Sequence, residues 1–428
     1  MKVRLAYGQG HLPVELPDEL TTIIEPSHTP GLGDERRAVL AALEKPIASR
    51  PLREWVKPTS RVCIVFTDIT RATPNDRLIP WLLGCLPDIP REHITLLNAL
   101  GTHRPNTRGE LEQLLTPAVV QNYRVLNHEA ENPSALIPLG ATGDGTPALL
   151  NRHFVEADVR IVTGFIEPHF FAGFSGGPKG IMPGVAGLQT VMSNHGAKNL
   201  GDVNATFGVT KGNPIWEEMR DIALRAGPSF LLNVALNEQR QITGVFAGDL
   251  LAAHRAGCEF VKQSAMQQFD APFDIVVTTN SGYPLDQNLY HGVKGMSAGA
   301  RVLKAGGTLI LACECRDGVP AHSNFDQMLG SAASPEELLT LLAMPGYRRP
   351  EQWQAQLMAL IQRQARVLLY SSLPDDVVRA AHLTPCRDIG ASVKELLACH
   401  PHGARIAALP QGPLTIPYLA QQIAPVRL

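Results

Sequence analysis

The chain has 428 residues, and its 38 Lys and Arg against 40 Asp and Glu give a formal net charge of −2 at pH 7. A chain of this length is expected to form two or three domains, each with its own core. The lack of a basic surplus argues against a general nucleic-acid binder, because such proteins gain affinity by neutralising phosphates. Small molecules are the expected partners.

Hydropathy and cysteine usage point to the compartment. No apolar run has signal-peptide or membrane-spanning length, which predicts a cytoplasmic protein with no membrane partner. The seven cysteines are scattered and odd in number, as expected for reduced thiols. Cys313 and Cys315 are the only closely spaced pair, and without a second CxxC or a His pair they favour core thiols over a zinc site.

Short apolar runs alternate with segments of helical character along the chain. This alternation predicts an α/β fold whose parallel strands are covered by helices. The first three runs are 61–68, 93–100 and 158–167. Residues 215–268 are strand-poor and mostly helical in character, and a second series of runs begins at Pro272. It continues through runs that start at Gly306 and Ala365, with a helix-like segment over 335–343 between them.

This pattern predicts two domains, each with a largely parallel sheet flanked by helices. We place an N-terminal domain over residues 1–270 and a Rossmann-like C-terminal domain over residues 271–404. The tail could pack back on either domain, and residues 405–428 could thus join the N-terminal one.

Chemically active side chains follow the predicted strands, where ligands bind in parallel sheets. Asp68 and Arg71 follow the first run, His103 the second, His169 the third and residues 280–282 the fourth. If these strands are neighbours, the carboxylate of Asp68, the guanidinium of Arg71 and the imidazoles of His103 and His169 meet in one crevice. Two imidazoles across a small substrate could exchange protons with it near pH 7, which hints at stereochemical inversion.

The carboxylate and the guanidinium each allow two interpretations. Asp68 could orient one of the histidines, or it could be a helix N-cap. Arg71 could clamp a substrate carboxylate with its planar fork, or it could be a solvated loop cation.

A glycine-rich segment, FFAGFSGGPKGIMPG, covers residues 170–184. Its glycines could let backbone amides approach an anion, and Lys179 adds a charge or a nucleophilic amine. The phosphate-binding template of ATPases fails here, because Pro178 precedes the lysine and Gly180 replaces the hydroxyl residue. His195 follows on a loop or helix that could fold back over this segment, although a lone His is more often structural.

Two further motifs carry weaker signals. Gly143 and Gly145 match a dinucleotide-binding pattern, but prolines in the preceding residues favour a turn. Beyond the fourth strand, Tyr290, His291 and Lys294 are predicted to lie on one helix, close enough to point toward the same cleft. An ordinary amphipathic helix would have the same spacing.

Together, the segments TDITR, GTHRP, EPHFFAGFSGGPKGIMPG, SNHG and YPLDQNLYHGVKG resemble the nickel-pincer lactate racemase family, in the same order over residues 67–295. The resemblance implies two α/β domains with the active site in the cleft between them, and an isomerase that inverts C2 of a 2-hydroxy acid. It also implies a nickel-pincer nucleotide joined through a thioamide to Lys179, with His195 as the nickel ligand. Cofactor-synthesis and insertion proteins would then be transient partners.

The resemblance also implies roles for individual residues. His103 and His169 would be the acid/base pair, one taking the hydroxyl proton while the C2 hydride moves to the cofactor. Arg71 and Lys294 would hold the substrate carboxylate and the developing oxyanion. The expected cofactor contacts are Asp68, Thr70, Gly173, Ser175, Gly176 and Gly177, and the expected substrate contacts are Arg71, Tyr290, His291 and Lys294.

One position departs from the family pattern. Where the lactate racemases carry Gln, this chain has His291, which predicts a different or larger 2-hydroxy acid with a second polar or acidic group. Two alternatives remain at this point: an NAD-dependent 2-hydroxyacid dehydrogenase that uses Gly143 and Gly145, and a non-catalytic hydroxy-acid-binding protein. The sequence leaves the substrate and the oligomeric state open.

Overall fold

The computed structural model of the protein describes residues 1–320, 322–400 and 403–420. These residues form two compact units. The N-terminal unit comprises His28–His195 and Asp202–Ser264. The C-terminal unit comprises Met1–Ser27, Gly196–Gly201 and the described residues from Ala265 onward.

The strands are distributed over both units. In chain order they are β1 (Lys2–Tyr7), β2 (Gly10–Glu15), β3 (Thr21–Ile23), β4 (Val62–Thr67), β5 (Ile94–Ala99), β6 (Arg124–Asn127), β7 (Leu136–Ala141), β8 (Pro147–Asn151), β9 (Val159–Phe165), β10 (Pro168–His169), β11 (Gly173–Phe174), β12 (Phe230–Leu236), β13 (Ile242–Asp249), β14 (Met266–Phe269), β15 (Phe273–Thr279), β16 (Leu303–Ala312), β17 (Arg366–Tyr370), β18 (Thr384–Cys386), β19 (Ile406–Leu409) and β20 (Ile416–Leu419).

Helices fill most of the connections. The α-helices are α1 (Glu35–Glu44), α2 (Asn75–Leu83), α3 (Arg108–Leu115), α4 (Pro117–Asn122), α5 (Arg152–Val155), α6 (Leu188–Asn194), α7 (Ala197–Leu200), α8 (Pro214–Arg225), α9 (Leu250–Ala265), α10 (Leu289–Ala300), α11 (Asn324–Leu329), α12 (Pro335–Leu342), α13 (Gln352–Gln364), α14 (Asp375–Ala380) and α15 (Ile389–Ala398). Short 3₁₀ turns cover Asp18–Leu20, Leu52–Glu54, Arg91–His93, Pro133–Ala135, Gly177–Gly180 and Gly412–Leu414.

The N-terminal unit is built on a six-stranded sheet in the order β13–β12–β9–β4–β5–β6. Its strands are parallel except for β13, which runs antiparallel to β12. The central strand β4 is apolar on both faces, and Ile64 and Phe66 are fully buried in the same core as Leu78 of α2. Each such side chain stabilises the fold by roughly 1.5–3 kcal/mol. This core fixes the strand ends from which the candidate site residues extend.

The C-terminal unit contains a second six-stranded sheet, in the order β18–β17–β16–β15–β19–β3, with every pairing parallel. The antiparallel β1–β2 hairpin contributes Val3 and Leu5 to a core shared with Ile275 and Ile406. A separate core contains α10, α11 and α13 together with Leu309 and Leu311 of β16. The predicted α/β class, with two largely parallel sheets flanked by helices, is confirmed.

The prediction of a strand-poor stretch over residues 215–268 is wrong. Strands β12 and β13 lie within it and form an antiparallel pair at the edge of the first sheet. The β12 run, FLLNVAL, is apolar on both faces and rich in Leu, so periodicity alone does not separate it from a buried helix. The strongly helical sequences of α8 and α9 on either side favoured the wrong choice.

The predicted assignment of residues 1–27 to the N-terminal domain also differs from the structure, and of the two placements left open for the tail its described residues take the one in the C-terminal unit. Strand β3 pairs with β19, and β19 pairs with β15, so both ends of the chain contribute strands to the C-terminal sheet. Strand β20 pairs with β14 of the same unit, whereas residues 421–428 of the predicted tail lie outside the described residues. The hydropathy pattern along the chain does not show which distant segments pair with each other, so a unit built from separate segments could not be predicted from it.

Among the described residues, no helix combines the length and the apolar character needed to cross a membrane.

Candidate active site

Three of the predicted strand-end motifs meet at the carboxyl ends of neighbouring strands in one sheet. Strands β9, β4 and β5 are adjacent and parallel, so the residues that follow them leave the sheet at the same end. Asp68 directly follows β4, His103 follows β5, and β9 leads to His169. The fourth strand, β15, belongs to the sheet of the C-terminal unit, as its place in the second series of runs predicts. There the Asn280 Oδ1 accepts a hydrogen bond from the backbone N–H of Gly295 at 3.0 Å.

The Asp68 carboxylate is hydrogen-bonded to the His103 imidazole. Oδ2 lies 2.7 Å from His103 Nδ1, and Oδ1 accepts the backbone N–H of Thr70 at 2.7 Å and its hydroxyl at 2.5 Å. The Asp68 side chain is only 2% exposed, whereas that of His103 is 42% exposed. Asp68 thus contacts a histidine, and it does not cap α2, which begins after Pro74.

The electrostatics of this pair favour an ionised carboxylate. Burial by itself would raise the pKa of Asp68, but the hydrogen bond and charge of His103, the guanidinium of Arg71 and the hydrogen bond from Thr70 together lower it to about 2. An ionised carboxylate can only accept, so His103 carries a proton on Nδ1. In the neutral ring the lone pair is then on Nε2, which is the arrangement of a general base.

A buried asparagine cluster joins the loops that carry this pair. Asn98, at the end of β5, donates through Nδ2 to Asn106 Oδ1 at 2.8 Å and to Asn127 Oδ1 at 3.0 Å. The same Asn106 oxygen accepts the backbone N–H of Ile69 at 3.3 Å. The loop after β4 is therefore held against the loop after β5.

His169 lies in a short hairpin formed by β10 and β11. Its Nδ1 accepts the backbone N–H of Ala172 at 3.2 Å. Because a backbone N–H can only donate, a neutral His169 carries its proton on Nε2. The rings of Phe170 and Phe171 lie 4.8 and 4.6 Å from the imidazole, centroid to centroid, so the ring is enclosed by aromatic surface.

The glycines of the 170–184 segment are required by close packing within the protein. Gly173 has φ +75°, and a Cβ there would lie 2.3 Å from the carbonyl oxygen of Val209. Gly177 has φ +53°, and its Cβ would lie 2.4 Å from Cγ of His254. The N–H of Gly177 also donates to Asn233 Oδ1 at 2.8 Å, so this amide is already bound within the protein.

His254 and Asn233 hold the turn that presents Lys179. His254 Nε2 donates to the carbonyl oxygen of Ser175 at 3.0 Å, and burial lowers the pKa of His254 to about 4, so the ring is neutral. Lys179 itself is half-buried in the Gly177–Gly180 turn, and its backbone N–H bonds to Gly176 at 3.1 Å. Its amine is thus carried by a turn with little freedom to move.

His195 ends α6, buried beside the same segment. Its Nδ1 lies 3.0 Å from Asn194 Oδ1, and its ring packs edge-on against Phe171 at 4.9 Å. Burial, with the nearby charge of Lys179, lowers the pKa of His195 to about 3. A buried neutral imidazole is the form that can bind a metal.

The Gly143 and Gly145 motif is a hairpin loop, as the turn interpretation predicts. It connects the antiparallel strands β7 and β8. Asp144 Oδ1 accepts the Thr142 hydroxyl at 2.8 Å, the Thr146 N–H at 3.0 Å and the Ser193 hydroxyl at 2.7 Å. The motif therefore does not join a parallel strand to a helix as a dinucleotide site requires, and the dehydrogenase alternative loses its main support.

In the C-terminal unit, Tyr290, His291 and Lys294 lie half-buried on α10, as predicted. The helix begins after Asn288, whose Oδ1 accepts the His291 N–H at 3.0 Å. A different face of α10 carries Gly292, Gly295 and Gly299, where added Cβ atoms would meet strand atoms of β15 and β16. Trp353 Nε1 donates to the Tyr290 hydroxyl at 3.2 Å.

Cys313 and Cys315 are buried core thiols, as predicted, with sulfur atoms 3.5 Å apart. No group of three or more His, Cys, Asp or Glu side chains that could hold a metal ion occurs in residues 1–320, 322–400 and 403–420.

Several residues around the site were not predicted from the sequence. Besides the asparagine cluster, they include Phe171, Asn194, Glu218, Asn233 and His254. A signal existed for Asn233, because a lone polar residue inside a buried apolar strand usually has a specific partner. Asn194, Glu218 and His254 lie on α6, α8 and α9, whose positions only the folded structure reveals, whereas Phe171 lies in the turn between β10 and β11.

Comparison with known proteins covers most of the chain. Residues 7–208 match the model of the lactate racemase N-terminal domain, and residues 269–416 match the model of the lactate racemase C-terminal domain. The chain is 33% identical over 417 residues to the lactate racemase of Thermoanaerobacterium thermosaccharolyticum, covering 96% of this chain and 97% of that protein. It is 36% identical over 383 residues to the lactate racemase of Lactiplantibacillus plantarum, covering 88% and 90%.

Solved structures give the same relationship. The lactate racemase apoprotein from Thermoanaerobacterium thermosaccharolyticum superposes with a TM-score of 0.91 at 33% identity, covering 97% of this chain and 100% of that chain. A Thermotoga maritima protein shares the fold, with a TM-score of 0.66 at 22% identity over 90% of this chain and 98% of that chain.

Proposed function

Since the chain belongs to the lactate racemase family and is an isomerase, we propose that it inverts the configuration at C2 of a 2-hydroxy acid, lactate or a related compound. The observation that carries the proposal is the hydrogen bond between the buried Asp68 carboxylate and His103, at the end of the sheet that also leads to His169. Two imidazoles can remove and return a hydroxyl proton near pH 7, which a racemase needs for the two enantiomers.

The two histidines are assigned the proton transfers. With Nδ1–H held by Asp68, His103 accepts the substrate hydroxyl proton at Nε2, and the carboxylate stabilises the positive charge that the ring gains. His169 performs the corresponding transfer for the opposite enantiomer. Its enclosure by Phe170 and Phe171 keeps water away from the ring.

Two cations are assigned to the substrate. Arg71 lies close enough to Asp68 to lower the pKa of that carboxyl group, and its fork suits the substrate carboxylate. Lys294 on α10 is assigned to the oxyanion that develops at the hydroxyl oxygen. A fixed charge of this kind supplies about 3–4 kcal/mol of transition-state stabilisation in a site shielded from water.

The reaction also needs a group that takes the C2 hydrogen with its electron pair and returns it, and a nickel-pincer nucleotide supplies this chemistry when bound. Lys179 is the proposed covalent attachment point, and His195 is the proposed nickel ligand. The buried, neutral state of His195 and the fixed turn around Lys179 support both assignments. Further nucleotide contacts are assigned to Asp68, Thr70, Gly173, Ser175 and Gly176, and to Gly177 other than through its N–H, which Asn233 binds. Proteins that make and insert the cofactor are the proposed transient partners.

The substrate is proposed to carry a second polar or acidic group. His291 occupies the position where lactate racemases have Gln, and its ring packs 5.6 Å from that of Tyr290. An imidazole is more rigid than a Gln side chain and can become cationic, so it suits an added carboxylate or hydroxyl. In a panel of enantiopure 2-hydroxy acids, we expect a polar-substituted acid to be racemised faster than lactate, and equal or faster turnover of lactate would contradict this.

The deciding experiment is intact mass and nickel content, followed by polarimetry, on protein co-produced with the cofactor-synthesis proteins. We expect added mass localised to Lys179, near-stoichiometric nickel and loss of optical rotation. A bare chain without nickel, under conditions that load a known lactate racemase, would refute the proposal. Production without the synthesis proteins is the control and should yield inactive apoprotein.

Variants separate the assigned roles. Lys179→Ala should prevent covalent attachment, whereas His103→Ala and His169→Ala should keep nickel and lose turnover. Loss of nickel in all three variants would show that the two histidines are not the acid/base pair.

A further inference from the structure

The end of α6 that carries His195 is tied to two other parts of the N-terminal unit. Asn194 is fully buried, and its Nδ2 donates to Glu218 Oε2 on α8 at 2.8 Å and to the carbonyl oxygen of Ile215 at 3.1 Å. The second oxygen of Glu218, Oε1, accepts the backbone N–H of Gly143 at 2.7 Å. The hairpin loop first considered as a dinucleotide site is therefore part of the support for α6.

The chemistry of these partners determines which way the Asn194 amide points. A carboxylate and a carbonyl oxygen can only accept hydrogen bonds, so the NH₂ group of Asn194 must face Glu218 and Ile215. Its Oδ1 then faces His195 Nδ1, 3.0 Å away. An amide oxygen can only accept, so the His195 proton must lie on Nδ1.

We propose that Glu218 and Asn194 are positioning residues that hold His195 in the Nδ1–H tautomer and so reserve Nε2 for the metal. This inference rests on the proposed function, in which His195 is the nickel ligand. The hydrogen bond from Nδ1 also fixes the plane of the ring and raises the basicity of Nε2, as outer partners of metal-bound histidines do. Asn194 acts directly on the ring, and Glu218 acts through Asn194.

The tautomer can be measured in apoprotein, independently of nickel. The full chain is produced without the cofactor-synthesis proteins and labelled with ¹⁵N-histidine, and long-range ¹H–¹⁵N correlation spectra report which ring nitrogen is protonated. The His195 signals are identified by their absence in His195→Gln. We expect the wild type to show protonated Nδ1 and unprotonated Nε2 at neutral pH.

Two variants test the residues. Asn194→Leu keeps the shape of the side chain but removes the acceptor, and Glu218→Ala leaves only the longer contact with the Ile215 carbonyl, at 3.1 Å, to orient the Asn194 amide. We expect both to populate the Nε2–H tautomer. The matched control is Glu217→Ala, which removes the neighbouring carboxylate on α8. That carboxylate also accepts a backbone N–H, from Gly212 at 2.8 Å. Its removal should leave the His195 signals unchanged.

Nickel retention is the second readout. Loaded Asn194→Leu and Glu218→Ala should lose nickel to a chelator with about 10–100-fold weaker retention than the wild type and Glu217→Ala. A wild-type His195 protonated on Nε2, or a tautomer unchanged in both variants, would overturn the inference. If one variant fails to fold, as judged by thermal unfolding, the other still decides. If the wild type binds no nickel but His195 has the expected tautomer, the result would contradict the proposed function and not the roles of Asn194 and Glu218 in setting the tautomer.

Discussion

Replacing Asp68 by Asn preserves the size of the side chain, removes its charge and should reverse the tautomer of His103. In the wild type the N–H and the hydroxyl of Thr70 both donate to Asp68 Oδ1. In Asp68→Asn only the amide oxygen can occupy that position, so the NH₂ group must face His103 Nδ1. The ring then becomes an acceptor at Nδ1 and carries its proton on Nε2, where the proposed mechanism needs a lone pair.

The expected loss follows from the size of a general-base contribution. Such a group contributes roughly 10²–10⁴-fold to rate, or about 2.7–5.5 kcal/mol at 1.36 kcal/mol per factor of ten. Asp68→Ala also removes the carboxylate but leaves the ring able to adopt either tautomer. We therefore expect kcat to fall at least 10²-fold in Asp68→Asn and by a smaller factor in Asp68→Ala.

The assay is the initial rate of racemisation from each enantiomer, measured by chiral chromatography on protein with equal nickel content. Histidine ¹⁵N spectra of the two apoprotein variants establish the His103 tautomer in parallel. Activity of Asp68→Asn within tenfold of the wild type, or at least equal to that of Asp68→Ala, would refute the reasoning. Loss of nickel in Asp68→Asn would instead point to a role of Asp68 in binding the cofactor.

Three further predictions concern stability and substrate choice. The folded-state pKa of Asp68 is lowered from 3.8 to about 2, so its contribution of about 2 kcal/mol is present above pH 4 and lost as the pH falls toward 2. In urea unfolding, the difference in unfolding free energy between wild type and Asp68→Asn should accordingly decrease as the pH falls across that range. A difference that does not change with pH would contradict this prediction. Gly177→Ala should lower the unfolding free energy by about 2–4 kcal/mol, because a Cβ there would lie 2.4 Å from His254. The control is Gly145→Ala, which has φ +85° but no atom within 4 Å and should cost about 1–2 kcal/mol. Equal losses in the two variants would exclude close packing as the reason for Gly177. His291→Gln should shift the ratio of kcat/KM toward lactate by about tenfold, or about 1.4 kcal/mol, against the best polar-substituted acid, and an unchanged ratio would remove His291 as a determinant.

The sheets could largely be predicted from the sequence, because β4, β5, β9 and β15 are short runs that are apolar on both faces. Strands that lack this property, or whose sequence is equally compatible with a helix, could not be predicted. Strand β3 has three half-buried residues, Thr21–Ile23, and owes its place to pairing with β19. The Leu-rich β12 matches a helix as well as a strand, and its pairing with β9 settles the choice. In both cases long-range pairing decides where local propensity does not.

The candidate site could be predicted where a reactive side chain directly follows a strand, as for Asp68 and His103. Its supports could not be predicted, because they come from distant parts of the chain. Glu218 contacts Asn194 from α8, and His254 contacts Ser175 from α9. The glycines of the 170–184 segment were predicted to let backbone amides approach an anion, whereas in the structure they are required by close packing. The atoms that pack against them belong to other elements, so the sequence alone does not show this.

The partner of Nδ1 determines the chemical form of each of the three site histidines. A carboxylate at His103 and an amide oxygen at His195 leave the Nε2 lone pair for a proton or a metal, whereas the backbone N–H of Ala172 leaves His169 with a proton on Nε2. In their neutral forms the proposed acid/base pair is therefore unequal, with His103 as acceptor and His169 as donor at Nε2. Before His169 can act as the base at Nε2, it must change tautomer: Nε2 releases its proton, and Nδ1 takes one up and gives up the Ala172 hydrogen bond. The two directions of the reaction therefore begin from different hydrogen-bonding states of one site.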